Sequence, residues 1–482
     1  MNRPLIIVQP RLPLRDPHDC TDANDELAIY EAVFDTLIRR EGTGFVPRLA
    51  ESWTVSEDAK DWVFKLRAGV RFHDGSPCDA ASVCLSLLRM ARADKGYTLG
   101  SPGVWRQYLG GAHVAAPDDR TVSISLATPM ADLLDVLVQG YVAGPASLGD
   151  LDAGITDRPI GTGPYRVMHA DNAALELARV PDHFSGTPAH QHIQIRLVPD
   201  AGQRLSMLQE AAADVATSLD YHASQSLSAP RFTRVETTVP VAIIYLLNAV
   251  KGPLADARLR RALNLALDRQ DLINTVVGGA ARPLLGFVSP MHFGAGDGAA
   301  LPQDLTAAKA LLADAGYADG LTLSLDCPTR LPDEAEQLTA ALGAQLAKIG
   351  ITLDIKLHSD REAYAHMVRR KEIGDLCVFD SSPLSTFRVL HEKIDARVRG
   401  AWWQGYHNAD VETLIDAART TPNEITRAAL FQEAYAEMQR DPPWLTLYNP
   451  IRVTGLRGDH PGFTLPADGV LNIAGLPGME EA

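Results

Sequence analysis

Long hydrophobic runs are missing from this 482-residue chain: stretches such as Leu5–Val8 and Val241–Leu247 fall far short of the ~20 apolar residues a membrane-spanning helix needs, which predicts a soluble protein. Positive charge is also scarce. Lys and Arg number 45 against 60 Asp and Glu, a net charge of −15. Nucleic-acid and anionic-membrane surfaces need concentrated Lys and Arg, so neither partner is expected. Cysteine is limited to Cys20, Cys78, Cys84, Cys327 and Cys377, an odd number without CxxC spacing, which excludes a disulfide framework and a zinc site and reads as free buried thiols. Met1–Pro10 has no charged start followed by an apolar run of about 7–15 residues and a small-residue cleavage site. Either a secretory signal has been removed or none was carried.

Signatures of catalysis are equally absent. There is no GxSxG elbow, no HExxH, and no nucleotide loop. The fourteen histidines form no close cluster with cysteine, and His190–His192 is a two-member spacing that suits one strand face better than a metal. No metal, cofactor or catalytic residue is expected.

What is present is a chain with 46% hydrophobic and 22% charged residues, long enough for roughly three domain-sized units and a sizeable core. The first half reads as strands with few helices. Trp62–Leu66, Thr121–Leu126 and Gln194–Val198 alternate or cluster apolar residues as half-buried strands do, with a short apolar helix at Ala131–Val138. A helix capped by Asp79 carries the stripe Ala80, Val83, Cys84, Leu87, Leu88. The second half alternates helix and strand. A helix after Asp256 runs through Leu259, Ala262, Leu263, Ala266, Leu272, Ile273, Val276 and Val277 to Gly278 and Gly279. Asp304 caps another, stopped by Gly316, and a strand follows at Leu321–Leu325. Asp333 begins a helix ending at Gly350, and Ile351, Leu353, Ile355 and Leu357 alternate as a strand. Helices near Val411–Arg419 and Glu424–Arg440 precede the run Trp444–Tyr448. This alternation predicts a sheet covered on both faces.

Four separated stretches resemble the extracellular solute-binding protein family 5. They are Tyr30–Arg89 (YEAVFDTLIRREGTGFVPRLAESWTVSEDAKDWVFKLRAGVRFHDGSPCDAASVCLSLLR), Gly161–Val167 (GTGPYRV), Asn248–Pro290 with PLADARLRRALNLALDRQDLINTVVGGAARP at its centre, and Asp441–Tyr448 (DPPWLTLY). The resemblance implies an α/β, two-lobed periplasmic-binding-protein fold (type II, cluster C-like) with an extra inserted domain. Residues 1–29, 161–248 and 449–482 would form the first-lobe core, 30–160 the insertion, and 249–448 the second lobe, facing the first across a cleft. The chain would cross between lobes near Asn248–Pro253 and Tyr448–Arg452, where short extended segments can act as hinges. It further implies the periplasmic solute-binding component of a bacterial ABC importer, most simply a monomer. Such a protein captures a small polar solute (a peptide, modified peptide or amino-acid conjugate) and passes it to a permease complex in the inner membrane. A solute sensor without transport, a metal-chelate binder and an α/β hydrolase are the alternatives.

Local physics supports structural roles for two of the shared motifs. HDGSP at His73–Pro77 is a strand-to-helix turn, with Gly75 and Pro77 supplying its backbone angles, and His73 beside Asp74 lacks a third partner for acid–base work. GTGPY lacks both GxxxxGK[ST] and GxGxxG spacing and reads as a turn.

The ligand-binding candidates cluster in Gly374–Asn408. Peptide-binding relatives carry here an aromatic residue followed closely by an Asp that pairs with the ligand's α-amino group. In this chain Phe379 stands for the aromatic and Asp380 falls one to three positions from the family acid, followed by Ser381, Ser382 and Pro383. The same stretch offers an anion site: Ser381, Ser382 and Ser385 precede a helix at Thr386–Ile394 whose free N–H groups suit a carboxylate, and Arg388 adds a bidentate donor. The alternative reading makes the serines plain helix caps and Arg388 an exposed side chain. Trp402, Trp403 and Tyr406 form a compact aromatic set suited either to stacking on a ligand or to packing the lobe. Tyr364, His366 and Arg369 lie on the stretch leading in, where some relatives place a carboxylate-binding Arg.

Overall fold

A computed structural model describes residues 3–12, 14–95, 104–330 and 332–479. The chain divides into two compact units, Met1–Thr237 with Ile451–Ala482, and Thr238–Pro450. The chain passes from one unit to the other after Thr237 and again after Pro450, and Ala242–Leu247 is hydrogen-bonded into the sheet of the second unit.

In the first unit, the entirely buried strand Leu5–Gln9 lies parallel to His192–Leu197 on one side and to Val215–Leu219 on the other. Tyr165–Ala170 and Ala174–Arg179 extend the sheet beyond His192–Leu197 as an antiparallel ribbon. A separate four-stranded antiparallel sheet, Ala50–Val55, Asp61–Leu66, Thr121–Ser125 and His113–Asp118, packs beneath the helix Ala80–Met90. Asp79 caps this helix, its carboxylate accepting from the Ser82 N–H at 2.9 Å. Of the apolar stripe on it, Ala80, Val83, Cys84 and Leu87 are buried while Leu88 is 47% exposed. This unit holds more helix than periodicity indicates. Leu133–Leu137 lies within the helix expected at Ala131–Val138, whereas Leu148–Asp152, with five residues, is little more than one turn, too short for a 3.6-residue repeat to be read. All five cysteines are buried, and none is joined in a disulfide.

The second unit is a sheet with helices on both faces. Its strand order is Ile351–His358, Leu321–Pro328, Leu376–Ser381, Ala242–Leu247 and the first part of Trp444–Arg457, with the first three mutually parallel. Because strand side chains alternate, successive residues feed two cores. Tyr245, Leu325, Leu376 and Val378 pack with the helices Ala257–Leu265, Leu305–Asp314 and Ala335–Ala347. Ile244, Leu246, Cys377 and Phe379 pack on the other side with Arg361–Arg369, Ala409–Arg419 and Glu424–Arg440. The long helix expected after Asp256 is two helices, Ala257–Leu265 and Arg269–Val277; Asp268 interrupts it by capping the second, accepting from the Asp271 N–H at 3.0 Å. Gly278 closes that helix with φ 58°, a left-handed conformation that glycine adopts without a Cβ penalty.

One half-buried carboxyl makes the first unit sensitive to pH. Glu31, on the helix Asn24–Val33, is pushed up to about 8 by burial and by the charge of Asp468, against the opposing pull of Arg48 and Arg39. A carboxyl whose folded value lies above its ordinary 4.5 is protonated in the native chain and ionised in the unfolded one across the interval between them. Stability therefore falls as pH rises through that window. Thermal melts from pH 5 to 8 should show this decline, and Glu31→Gln should flatten it; an unchanged slope in the variant would assign the decline to other groups.

Candidate functional site

Parallel strands end at a common edge, and ligands of open α/β sheets gather outside the carboxyl ends of such strands. In the second unit those ends carry Asp326, His358 and Asp380, and Arg361 opens the helix that follows His358. His358 Nε2 lies 2.7 Å from Asp326 Oδ1, while Asp326 Oδ2 accepts from the Gly374 N–H at 2.7 Å. The Tyr364 hydroxyl donates to the carbonyls of Val378 at 2.6 Å and Asp326 at 3.2 Å, and burial holds its phenol well above the usual range. These bonds lock the helix Arg361–Arg369 to the strand ends. A guanidinium nitrogen of Arg361 lies 3.8 Å from Asp380, and its carbon sits 5.5 Å from the Tyr364 ring centroid and 5.9 Å from that of Phe379.

The residues singled out in the sequence separate by environment. Phe379 and Trp402 are buried with ring centroids 4.9 Å apart, in the same core as Tyr406. Trp403 is half-buried, its Nε1–H donating to the Tyr406 carbonyl at 2.6 Å, with Arg399 over its ring at 5.6 Å. The aromatic set is thus brought together, with Trp402 and Tyr406 packing the unit. Ser381 is buried at the strand end and Ser382 is half-buried. Ser385 caps the helix Thr386–Lys393, accepting from the Arg388 N–H at 3.0 Å. Arg388 is buried, not exposed, and its Nε lies 3.3 Å from Glu392 Oε1. Arg369 faces His366 Nδ1 at 3.2 Å. Among the described residues no group of three or more His, Cys, Asp or Glu is placed to hold a metal ion.

Sequence reasoning missed Arg361, Asp326 and His358. The local signal was present in HSDRE, a strand end followed by the N-cap Asp360 and then a cation at the first helical position. What it faces depends on Phe379 and Asp380, on a strand nearly twenty residues further along.

In the first unit, a crevice too narrow to hold a water molecule lies beside Asp19, Cys20, Trp105, Gln139 and Tyr141. Burial and the neighbouring Asp16 push the Asp19 carboxyl up to about 6. The two glycine-containing motifs instead bind each other: the His73 N–H donates to the Gly161 carbonyl at 2.9 Å, and His73 Nε2 lies 3.0 Å from the Gly163 carbonyl. Asp74 closes its own turn by accepting from Ser76 N–H and Oγ–H. This arrangement occupies His73 and Asp74 in holding two turns together.

Comparison with known proteins bears on the whole chain. The profile of the bacterial extracellular solute-binding proteins, family 5, matches residues 44–410. A glutathione-binding protein of Salmonella paratyphi A is 27% identical over 470 residues, spanning 94% of this chain and 90% of that protein. A di/tripeptide-binding protein of Pseudomonas aeruginosa is 27% identical over 460 residues, spanning 87% and 84%. Among solved structures, a Haemophilus parasuis protein, HbpA2, superposes with a TM-score of 0.82 at 22% identity, over 97% of this chain and 98% of that one. The oligopeptide-binding protein AppA of Bacillus subtilis, in complex with a nonapeptide, gives 0.77 at 20%, over 98% of both. Both share the fold.

Proposed function

Because the chain belongs to the bacterial extracellular solute-binding proteins, family 5, we propose that it is the periplasmic solute-binding component of an ABC importer. It captures a peptide-like solute or amino-acid conjugate, hands it to an inner-membrane permease, and catalyses no reaction on it. Binding stabilises one conformation over others by the solute's differential affinity for it. The observation that carries this reading is similarity along nearly the full chain to binding proteins for glutathione and for di- and tripeptides. The grouping of Asp380, Arg361, Asp326 and His358 at the strand ends supports the second unit as the part that reads the solute's charged groups. The chain acts as a monomer, and residues 30–160 are an insertion within the first unit.

Asp380 accepts the ammonium group of the solute, with Phe379 packed behind it; Ser381, Ser382 and Ser385 shape the turn beyond. Calorimetry with glutathione and with di- and tripeptides tests this. The wild type is expected to bind, and Asp380→Asn to lose about 10- to 100-fold in affinity, the range for a charge-assisted hydrogen bond. Native mass spectrometry of gently purified protein should show a retained solute of this class. If none of these ligands binds, the peptide-like reading fails. A reproducible turnover of bound peptide, lost on substituting Asp74, would overturn the non-catalytic assignment.

A further inference from the structure

Several buried arginines of this chain find their acceptors in backbone carbonyls, while Arg89 and Arg388 face carboxylates. Arg204 donates to the carbonyls of Val198, Pro199, Thr217 and Ser218. Arg260 does so to Leu254, Ala255 and Pro442, and Arg269 to Asn264, Leu301 and Thr446. Arg361 departs from this pattern. Its side chain is only 7% exposed, yet Nε and Nη1 have no hydrogen-bond partner, and the approach to Asp380 at 3.8 Å is too long for a hydrogen bond. The Tyr364 and Phe379 rings stabilise its charge by cation–π attraction but satisfy none of its N–H groups. A guanidinium held in place by packing with unmet donors is arranged for an acceptor that arrives from outside.

We propose that Arg361 receives a carboxylate of the solute and, with Asp380, recognises an α-amino-acid head group, in which ammonium and carboxylate sit on the same carbon. The inference rests on the peptide-like reading of the same site and narrows it. In such a head group the nitrogen and the carboxylate carbon are about 2.5 Å apart, whereas the amine and carboxylate of an extended dipeptide are separated by roughly 6 Å. A cation and an anion 3.8 Å apart match the former. Asp380 can accept the ammonium while keeping other partners, since a carboxylate offers about four acceptor positions. The favoured solutes are therefore conjugates through a side chain, such as γ-glutamyl peptides, in which the head group stays free.

Two isomeric tripeptides separate these geometries. Glutathione, linked through the γ-carboxyl of its Glu, keeps a free α-amino-acid head; α-linked Glu-Cys-Gly does not. Calorimetry should find the wild type preferring glutathione by about 10- to 100-fold, and Arg361→Gln abolishing the preference by weakening glutathione selectively. Equal affinities in the wild type, a preference for the α-linked isomer, or equal weakening of both by the variant would overturn the proposal. A second measurement needs no ligand. If Arg361 is held unsatisfied for a solute, Arg361→Met relieves an unmet buried cation, and the Tm of the ligand-free protein should rise by about 2–4 °C. A fall would show that the guanidinium is structural and would overturn the assignment. Should neither tripeptide bind the wild type, the peptide-like reading fails; a raised Tm for Arg361→Met would then still support an anion contact at this residue, and a lowered one would refute it.

Discussion

Asp35→Ala is expected to destabilise the chain by about 3–5 kcal/mol, because it removes the anion from a buried, charged cluster and leaves its partners unmatched. The Asp35 side chain is fully buried. Its Oδ1 accepts from Arg48 Nε at 2.5 Å, and its Oδ2 accepts from the Thr162 hydroxyl at 2.9 Å and lies 3.3 Å from His183 Nε2. Burial opposes ionisation of the carboxyl, but His183, Arg48 and Thr162 outweigh it and hold Asp35 below the usual value. A depressed carboxyl contributes stability that is present above its unfolded value and is lost as pH falls through the folded one. Thermal melts at neutral pH should show the loss in Asp35→Ala, and part of the wild type's decline in acid should be absent from the variant. Asp35→Asn keeps an acceptor for Thr162 while dropping the charge opposite Arg48, so it should fall between the two. A variant within 0.5 kcal/mol of the wild type, the ordinary range for a surface substitution, would refute the cluster's role.

A larger effect is expected at the GTGPY turn. A Cβ built on Gly161 would stand 2.0 Å from the Val33 carbonyl oxygen, and one on Gly163 would stand 2.5 Å from the Val33 carbonyl carbon and 2.6 Å from the Ala32 oxygen. These obstacles are backbone atoms of the helix Asn24–Val33, and the Gly163 N–H donates to Val33 O at 2.9 Å, so the chain cannot retreat without losing that bond. Gly163→Ala should cost more than about 4 kcal/mol or prevent folding altogether. Gly149→Ala is the control: nothing lies within 4 Å of its Cβ, and alanine in a helix improves on glycine. Comparable soluble yield and Tm for the two variants would show that close backbone approach is not what the turn requires.

Both effects meet in one place. Thr162 lies between the two glycines and donates to Asp35, so two family-resembling stretches well separated in the chain are joined through one carboxylate. Sequence reading recognised both stretches and assigned the GTGPY segment to a turn. Neither Asp35 nor its partners stood out, because an acid in the text FDTL has no feature that distinguishes a surface residue from the centre of a buried cluster. Arg361 was hidden for the same reason. Aromatic residues posed a related difficulty: Trp402 and Tyr406 have the composition of a stacking surface, and their burial beside Phe379 follows from the strand's alternation and the helices laid across it.

By itself the sequence determined the elements governed by neighbours a few residues apart. The caps at Asp79 and Asp304, the glycine stop at Gly278 and the alternation of Ile351–Leu357 depend on local hydrogen bonds and side-chain period. So does the family, whose resemblance runs through most of the chain. The break at Asp268 was also written locally, as an N-cap within an otherwise continuous stripe. Tertiary structure alone decided which charges meet: Arg361 with Asp380, Asp326 with His358, Asp35 with Arg48 and His183. Such pairings depend on strand order and on which sheet edge a helix begins from, and a polar side chain acquires its energetic weight only when that packing removes it from water.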